Sequence, residues 1–103
     1  MTGEEVARLV REEIGQDWSH ANPHAVDLRR CLVAPRKVRL FVDMDTGRQV
    51  EHWLVLEETP GGGYQIVFDE DSGQFGLATF DVGTRRDYFP GLYGNFLETL
   101  DAM

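Results

Sequence analysis

Three acid and imidazole side chains in the first quarter of the chain have a spacing that could bind a metal ion. Asp17, His20 and His24 form a D-x2-H-x3-H cluster, to which His52 could add a remote fourth ligand. Zinc accepts such ligands when the fold brings them together. Pro23 interrupts the helix that would align these side chains, because proline disfavours α geometry in the residue before it. We therefore expect solvated or capping histidines here and no metal site.

Two acidic D-x-D-x-G turns, at residues 43–47 and 69–73, invite comparison with calcium-binding loops. An EF-hand loop needs a third acid before its glycine and a bidentate glutamate at its twelfth position. Counted from the first aspartate of each turn, that position holds Leu54 or Phe80. Both turns therefore fail the calcium pattern, and we expect the first aspartate of each to accept hydrogen bonds from its own backbone.

Cys31 is the single cysteine of the chain, so it cannot form an internal disulfide. Arg29 and Arg30 precede it and could activate the thiol if they point the same way. No pattern places His52 or Asp27 beside it as a partner. We expect a small buried core residue and predict no catalytic residue. The glycine-rich segment of the chain leads into a strand, whereas phosphate-binding loops lead into a helix, so no cofactor is predicted either.

The length and net charge of the chain narrow the classes of function. With 103 residues, the chain fits one domain over residues 1–103. Its formal net charge of −8 argues against general affinity for nucleic acid or for an anionic membrane. Its apolar runs are far shorter than the roughly 20 residues that span a bilayer, and its charged first residues lack the apolar region of a secretory signal. We expect a cytoplasmic protein.

The charge is unevenly distributed along the chain. Residues 28–42 contain five cations and no acid, whereas residues 43–81 contain nine acids and one arginine. Such segregation indicates a basic strand that lies beside an acidic one within the fold. The alternative is a basic recognition edge, which would contact nucleic acid through Arg29, Arg30, Arg36, Lys37 and Arg39.

Apolar residues recur at helical spacing at both ends of the chain. Thr2 and Glu5 fit a capping box and predict an amphipathic helix over about residues 3–14. At the other end, the pattern predicts a helix that begins at either Leu92 or Phe96.

Alternating apolar residues predict a β-hairpin from Tyr64 to Phe80. If Glu70 pairs with Gln74, Phe68 lies opposite Gly76. Large residues on one strand then face small ones on the other, which leaves a surface that the C-terminal helix could cover.

A second predicted hairpin covers residues 37–57. In the expected register Leu40 faces His52, and Arg39 faces Trp53 on the opposite side, where a cation–π contact could form.

The remaining segments complete the predicted fold. Residues 28–33 suggest one more strand, and residues 81–91 suggest an irregular segment. The sequence therefore predicts an α+β fold of two layers. Its antiparallel meander sheet of four to five strands is flanked by an N-terminal and a C-terminal helix.

The apolar face that lies away from the predicted core is the first functional candidate. Phe41, Trp53 and Val55 share that face with Arg39 nearby, and a large exposed apolar patch is typical of an interface. The alternatives are that helices cover both faces, or that the core lies on the other one. We therefore predict a non-enzymatic protein-binding or regulatory module, whose partner is another protein or a second copy of the chain.

The runner-up hypothesis is a small-molecule-binding or hydrolytic domain. Its pocket would lie between the sheet and the C-terminal helix, lined by His52, Tyr64 and Tyr93.

Overall fold

The structure, a computed structural model, describes residues 1–43, 45–59, 62–81, 83 and 85–103, with backbone alone at residues 62 and 81. These described residues form three helices and five strands in the order α1 (Gly3–Ile14), α2 (Leu28–Cys31), β1 (Leu32–Asp43), β2 (Arg48–Thr59), β3 (Gly62–Asp69), β4 (Gln74–Asp81), β5 (Arg86–Gly94) and α3 (Phe96–Asp101). Within these described ranges, no helix has the length and apolar character needed to cross a bilayer.

The five strands form a closed barrel in the order β1-β2-β3-β4-β5. Consecutive strands pair in antiparallel fashion, so the first and fifth strands run in the same direction. They meet side by side where Phe41 of β1 pairs with Tyr88 of β5 in parallel. The predicted α+β fold, an open two-layer sheet flanked by two helices, is therefore wrong.

The strand that closes the barrel is β5, in the segment that was expected to be irregular. Pro90 lacks a backbone N–H and cannot donate to a ladder. A register shift in the β4–β5 ladder, between the pairs made by Tyr88 and Gly91, leaves Pro90 outside the paired positions. Phe89, at the same irregularity, packs inside the barrel. Residues 82 and 84 of this segment lie outside the described residues.

Closure gives the sheet two apolar cores instead of one. Successive side chains of a strand point to opposite faces, and here both faces are buried. The inner core fills the barrel and consists of Leu40, Leu54, Val67 and Ala78, with Val33, Val38, Val50 and Phe89 packed against it. The outer core lies between the barrel and the helices and includes Val6, Val10, Ile14, Trp53, Val55, Ile66, Phe68, Phe75, Leu77, Phe96 and Leu100.

The N-terminal helix begins where the sequence predicted. The Thr2 hydroxyl accepts a hydrogen bond from the Glu5 N–H, and the Glu5 carboxylate accepts one from the Thr2 N–H. This capping box satisfies two backbone donors that the first turn of a helix otherwise leaves unpaired. The buried face of α1 then packs into the outer core.

The C-terminal helix begins at Phe96, the second of the two predicted starts. Asn95 caps it by accepting a hydrogen bond from the Glu98 N–H at 2.9 Å. The Phe96 N–H donates to the Glu13 carboxylate of α1 at 3.2 Å, so the two helices lie together on the outer core. Leu92 belongs to β5.

The β3–β4 hairpin is shifted by one residue from its predicted register. Asp69, not Glu70, pairs with Gln74, because the Asp69 carbonyl accepts the Gly73 N–H and closes the turn one residue earlier. Gly76 therefore lies opposite Val67. The predicted helix does not cover Gly76, whose inner side is occupied by the Phe89 ring from β5.

The β1–β2 hairpin is shifted by two residues from its predicted register. Lys37 lies opposite Trp53, and Val38 lies opposite His52. The ladder also shifts register between Phe41 and Asp43. The cation over the Trp53 ring is consequently Lys37, with its Nζ 5.3 Å from the ring centroid, and not Arg39.

Local hydrogen bonds determine the conformation of the acidic turns and of the segment before β1. Asp43 and Asp69 each accept the N–H of the residue two positions later, at 2.9 and 3.0 Å, as expected. Met44 of the first turn lies outside the described residues. The strand predicted at residues 28–33 is wrong in its first part, because Asp27 accepts the Arg29 N–H and caps a turn of helix before β1 begins.

We predict that Gly76→Ala destabilises the barrel. An added Cβ would lie 2.5 Å from the Gly91 carbonyl oxygen and 2.7 Å from the Phe89 ring. Overpacking of this kind costs about 1–3 kcal/mol, which urea unfolding would measure. The control is Gly73→Asn: nothing lies within 4 Å of that site, and asparagine tolerates its φ of +73°. A Gly76→Ala protein as stable as the wild type would contradict the placement of Phe89.

We predict a pH dependence of stability from His20. Its ring nitrogens bond to Asp17 and Asp101, both at 2.8 Å, and these hydrogen bonds raise the pKa of His20. The stabilisation is present in full below the unfolded pKa of about 6.5 and is lost as pH rises through the higher folded pKa. The wild type should exceed His20→Gln in unfolding free energy most between about pH 5 and 6.5, where the imidazole is protonated and both carboxylates are ionised. A difference that stays constant from acid to alkaline pH would contradict this.

Candidate functional site

The residues predicted to form an exposed interface are mostly buried. Trp53 is 8% exposed and Val55 is 1% exposed, both within the outer core. Phe41 is half-buried, with the Arg86 guanidinium 4.5 Å from its ring centroid, and Arg39 is exposed. The expectation that Trp53 and Val55 are exposed is wrong, because the helices cover the outer face while the barrel encloses the inner one. The set does not form one accessible patch.

The predicted pocket residues lie apart. His52 packs edge-on against Phe89 inside the barrel, with ring centroids 4.8 Å apart. Its Nδ1 is 3.8 Å from a carboxylate oxygen of Asp69 and has no hydrogen bond to the described residues. Tyr64 packs instead against the outer core, and Tyr93 is 43% exposed. The structure therefore does not bring His52, Tyr64 and Tyr93 together in one pocket.

The histidines considered for metal binding have separate carboxylate partners. His20 bonds to Asp17 and Asp101, whereas the His24 Nδ1 lies 2.5 Å from a Glu58 carboxylate oxygen. Among the described residues, no three such side chains gather in a way that could hold a metal ion.

Cys31 lies near the Glu58 side chain, in a cavity of about 480 Å³ that His24 and Arg30 also line. The thiol is partly buried and directs its weak hydrogen bond to the Glu58 carbonyl oxygen at 3.7 Å. Burial alone would raise the pKa of Glu58, but hydrogen bonds from the Tyr64 N–H and from His24 lower it overall. The Glu58 carboxylate is thus occupied in joining His24 to the start of β3, which is a structural role.

An apolar groove between α1 and the start of β1 is the best candidate for a functional site. It has a volume of about 290 Å³. Four elements supply its apolar walls, with Val10 from α1, Leu28 from α2, Leu32, Val33 and Pro35 from β1, and Val55 from β2. We call it the α1–β1 groove. Its apolar character is typical of a binding cleft, in which a few polar groups set the orientation of the ligand.

Irregular pairing at the start of β1 shapes this groove. The β1–β2 ladder shifts register between Leu32 and Arg36, so the intervening residues leave the regular pairing. Pro35 lies in that interval and has no backbone N–H to satisfy. Gly3 permits a close approach of α1, since a Cβ there would lie 2.9 Å from the Pro35 carbonyl oxygen. The helix therefore meets β1 at Gly3, and the groove lies farther along.

Trp18 forms the outer rim of the α1–β1 groove and is held from two sides. Its indole N–H donates to the Gly15 carbonyl at 3.1 Å, where α1 ends. The Arg29 guanidinium lies 5.4 Å from the centroid of the indole ring. The ring is partly buried against the outer core, so it presents a fixed aromatic surface.

Two arginines line the α1–β1 groove without a carboxylate partner. Arg11 and Arg29 are both exposed, and neither forms an ion pair with any residue in the described ranges. Two cations of β1 differ in this respect. Arg36 pairs with Glu57 at 3.6 Å, while Lys37 pairs with Glu51 at 3.8 Å and with Glu70 at 3.6 Å. The predicted pairing of basic and acidic strands thus occurs, but it does not include the groove.

A second groove continues the first along the side of α1. It has a volume of about 630 Å³ and shares Ala7 and Pro35 with the α1–β1 groove. Thr2 and Glu4 line its far end. The two grooves together form one combined cleft, which is therefore basic beside the C-terminal end of α1 and acidic beside its N-terminal end.

Sequence reasoning missed this site because its residues are distant along the chain. Arg11 belongs to the helix predicted over residues 3–14 and Arg29 to the basic segment at residues 28–42, whereas Trp18 lies in neither. Their convergence depends on α2 and on the register shift in β1. The signal that could have found them is a loop tryptophan followed by an arginine pair and an edge proline.

Comparison of the chain with protein-family models, with curated proteins and with solved structures finds no match.

Proposed function

We propose that this chain is a non-enzymatic protein-binding module that holds an apolar side chain of its partner in the α1–β1 groove. The observation that carries the proposal is an apolar cleft of about 290 Å³ with an aromatic rim. Interfaces obtain most of their binding energy from a few large side chains buried in such pockets. The size of this cleft suits one leucine or phenylalanine side chain, whereas an extended flat surface would not enter it.

The groove replaces the face first predicted to bind a partner. Trp53 lies beneath the helices, and Val55 is 1% exposed and lines only the α1–β1 groove, so the two do not form a surface on which a partner or a second copy of the chain could dock. Leu32, Val33 and Trp18 remain partly exposed around the groove. When a partner buries apolar side chains in this state, the removal of their surface from water lowers the free energy of the complex.

One domain over residues 1–103 carries the module in this proposal. We also propose a cytoplasmic location, where the free thiol of Cys31 would remain reduced.

A second candidate function is the binding of a small apolar molecule in the same groove. Its volume of about 290 Å³ favours this alternative, because small-ligand pockets begin near that size. It differs from the runner-up predicted from the sequence, since the pocket does not involve His52 or Tyr93.

A random peptide library displayed on phage provides the probe for the first proposal. Selection on the wild type should enrich peptides that contain a large apolar residue. In NMR titrations the best peptide should shift the signals of the Ala7 and Val33 amides and of the Trp18 indole.

We predict that Ala7→Phe, which fills the shared floor of the two grooves, weakens binding of that peptide at least about tenfold. Glu12→Phe is the matched control, because Glu12 is exposed on the same helix and does not line either groove. Thermal unfolding would verify that both variants fold. Peptides that bind Ala7→Phe as well as the wild type, or that shift signals elsewhere only, would contradict the proposal.

A further inference from the structure

We propose that the partner segment in the α1–β1 groove is acidic and places a carboxylate between Arg11 and Arg29, beside its apolar anchor. This inference rests on the proposed function and adds the chemical class of the partner.

Arg11 comes from α1 and Arg29 from α2, so they line the same groove from different elements. Among the described lysines and arginines, only Arg36 and Lys37 form ion pairs with described acidic side chains, so Arg11 and Arg29 are unpaired like most cations of the chain. What distinguishes these two is that both line one apolar cleft. A carboxylate held between them would form charge-assisted hydrogen bonds, which are stronger than neutral ones.

Arg29 is already oriented by its contact with an aromatic ring. Its guanidinium lies over the Trp18 ring, and the Trp18 indole N–H is bonded to the Gly15 carbonyl. Stacking on an aromatic ring limits the rotamers of an arginine without neutralising its charge. Binding a carboxylate therefore requires less ordering of the side chain than a free arginine would need.

The combined cleft has opposite charges at its two ends. Arg11 and Arg29 lie toward the end of α1, whereas Glu4 lines the far end near its first turn. A partner segment that is acidic at one end and neutral or basic at the other matches both ends. This charge arrangement fixes the direction in which the segment lies.

The overall charge restricts the partner to a short acidic segment. A long polyanion such as nucleic acid would experience the net charge of −8 over the rest of the surface. A peptide with one or two carboxylates next to a large apolar residue contacts the arginines and avoids most of that repulsion.

The first experiment changes the peptide and leaves the protein intact. The tightest peptide from the random phage library should contain Asp or Glu near its apolar residue. Replacing those acids by Asn or Gln should weaken binding to the wild type about tenfold or more, measured by calorimetry. A selected peptide without acids, or one whose neutral version binds equally well, would overturn the inference.

The second experiment compares two protein variants of equal net charge. Arg11→Gln/Arg29→Gln removes the groove cations, and Arg8→Gln/Arg30→Gln removes a cation from each of the same helices outside the groove. We expect the groove variant to lose about tenfold in affinity for the acidic peptide and the control variant less than about twofold. Equal losses in both variants would indicate general charge attraction and overturn the inference.

Outcomes for the groove itself separate this inference from the proposed function. If Ala7→Phe abolishes binding while the neutral peptide and the groove variant bind normally, the groove is a binding site and only the acidic partner is excluded. If Ala7→Phe also binds normally, both proposals fail. A short oligothymidylate that binds the wild type as tightly as the peptide, and loses affinity in the groove variant, would assign the arginines to nucleic acid and overturn the inference.

Discussion

The parallel pairing of Phe41 with Tyr88 closes the barrel, and the burial of both apolar faces of the sheet follows from it. Both α1 and α3 pack against the outer core, so an open sheet would leave its other apolar face in water. Closure of the barrel buries that face around Leu40 and Val67. Full burial of one large apolar side chain contributes about 1.5–3 kcal/mol. The inner core is therefore a major part of the stability and requires no further helix.

The candidate site is a consequence of the same arrangement. Since the helices need to cover only the outer face, α1 meets β1 at Gly3 and leaves the start of that strand partly open. The α1–β1 groove forms at this margin of the outer core. Apolar side chains are half-buried there, and Arg11 and Arg29 lie beside them without an ion-pair partner among the described residues. The closed barrel thus provides the stability, and the α1–β1 groove, at the margin of the helices, provides the proposed binding surface.

Local features of the structure could be predicted from the sequence, and long-range ones could not. The capping box of Thr2 with Glu5 depends on residues a few positions apart, and so does the aspartate turn at Asp69. The closing strand β5 could not be predicted, because its pairing partner precedes it by more than forty residues. The sequence shows that Trp53 is part of an apolar face, but not that both faces are buried. The groove was missed for the same reason, since the convergence of Arg11 with Arg29 depends on the path of the whole segment between them.

Backbone NOEs between β1 and β5, measured by NMR on isotopically labelled protein, would establish whether the barrel is closed. A closed barrel predicts contacts between Phe41 and Tyr88 in the pattern of parallel strands, together with antiparallel contacts between Asp69 and Gln74. The account would be contradicted if the antiparallel ladders were complete and the contacts between Phe41 and Tyr88 were absent. The sheet would then be open, and its inner face would have to be covered in another way.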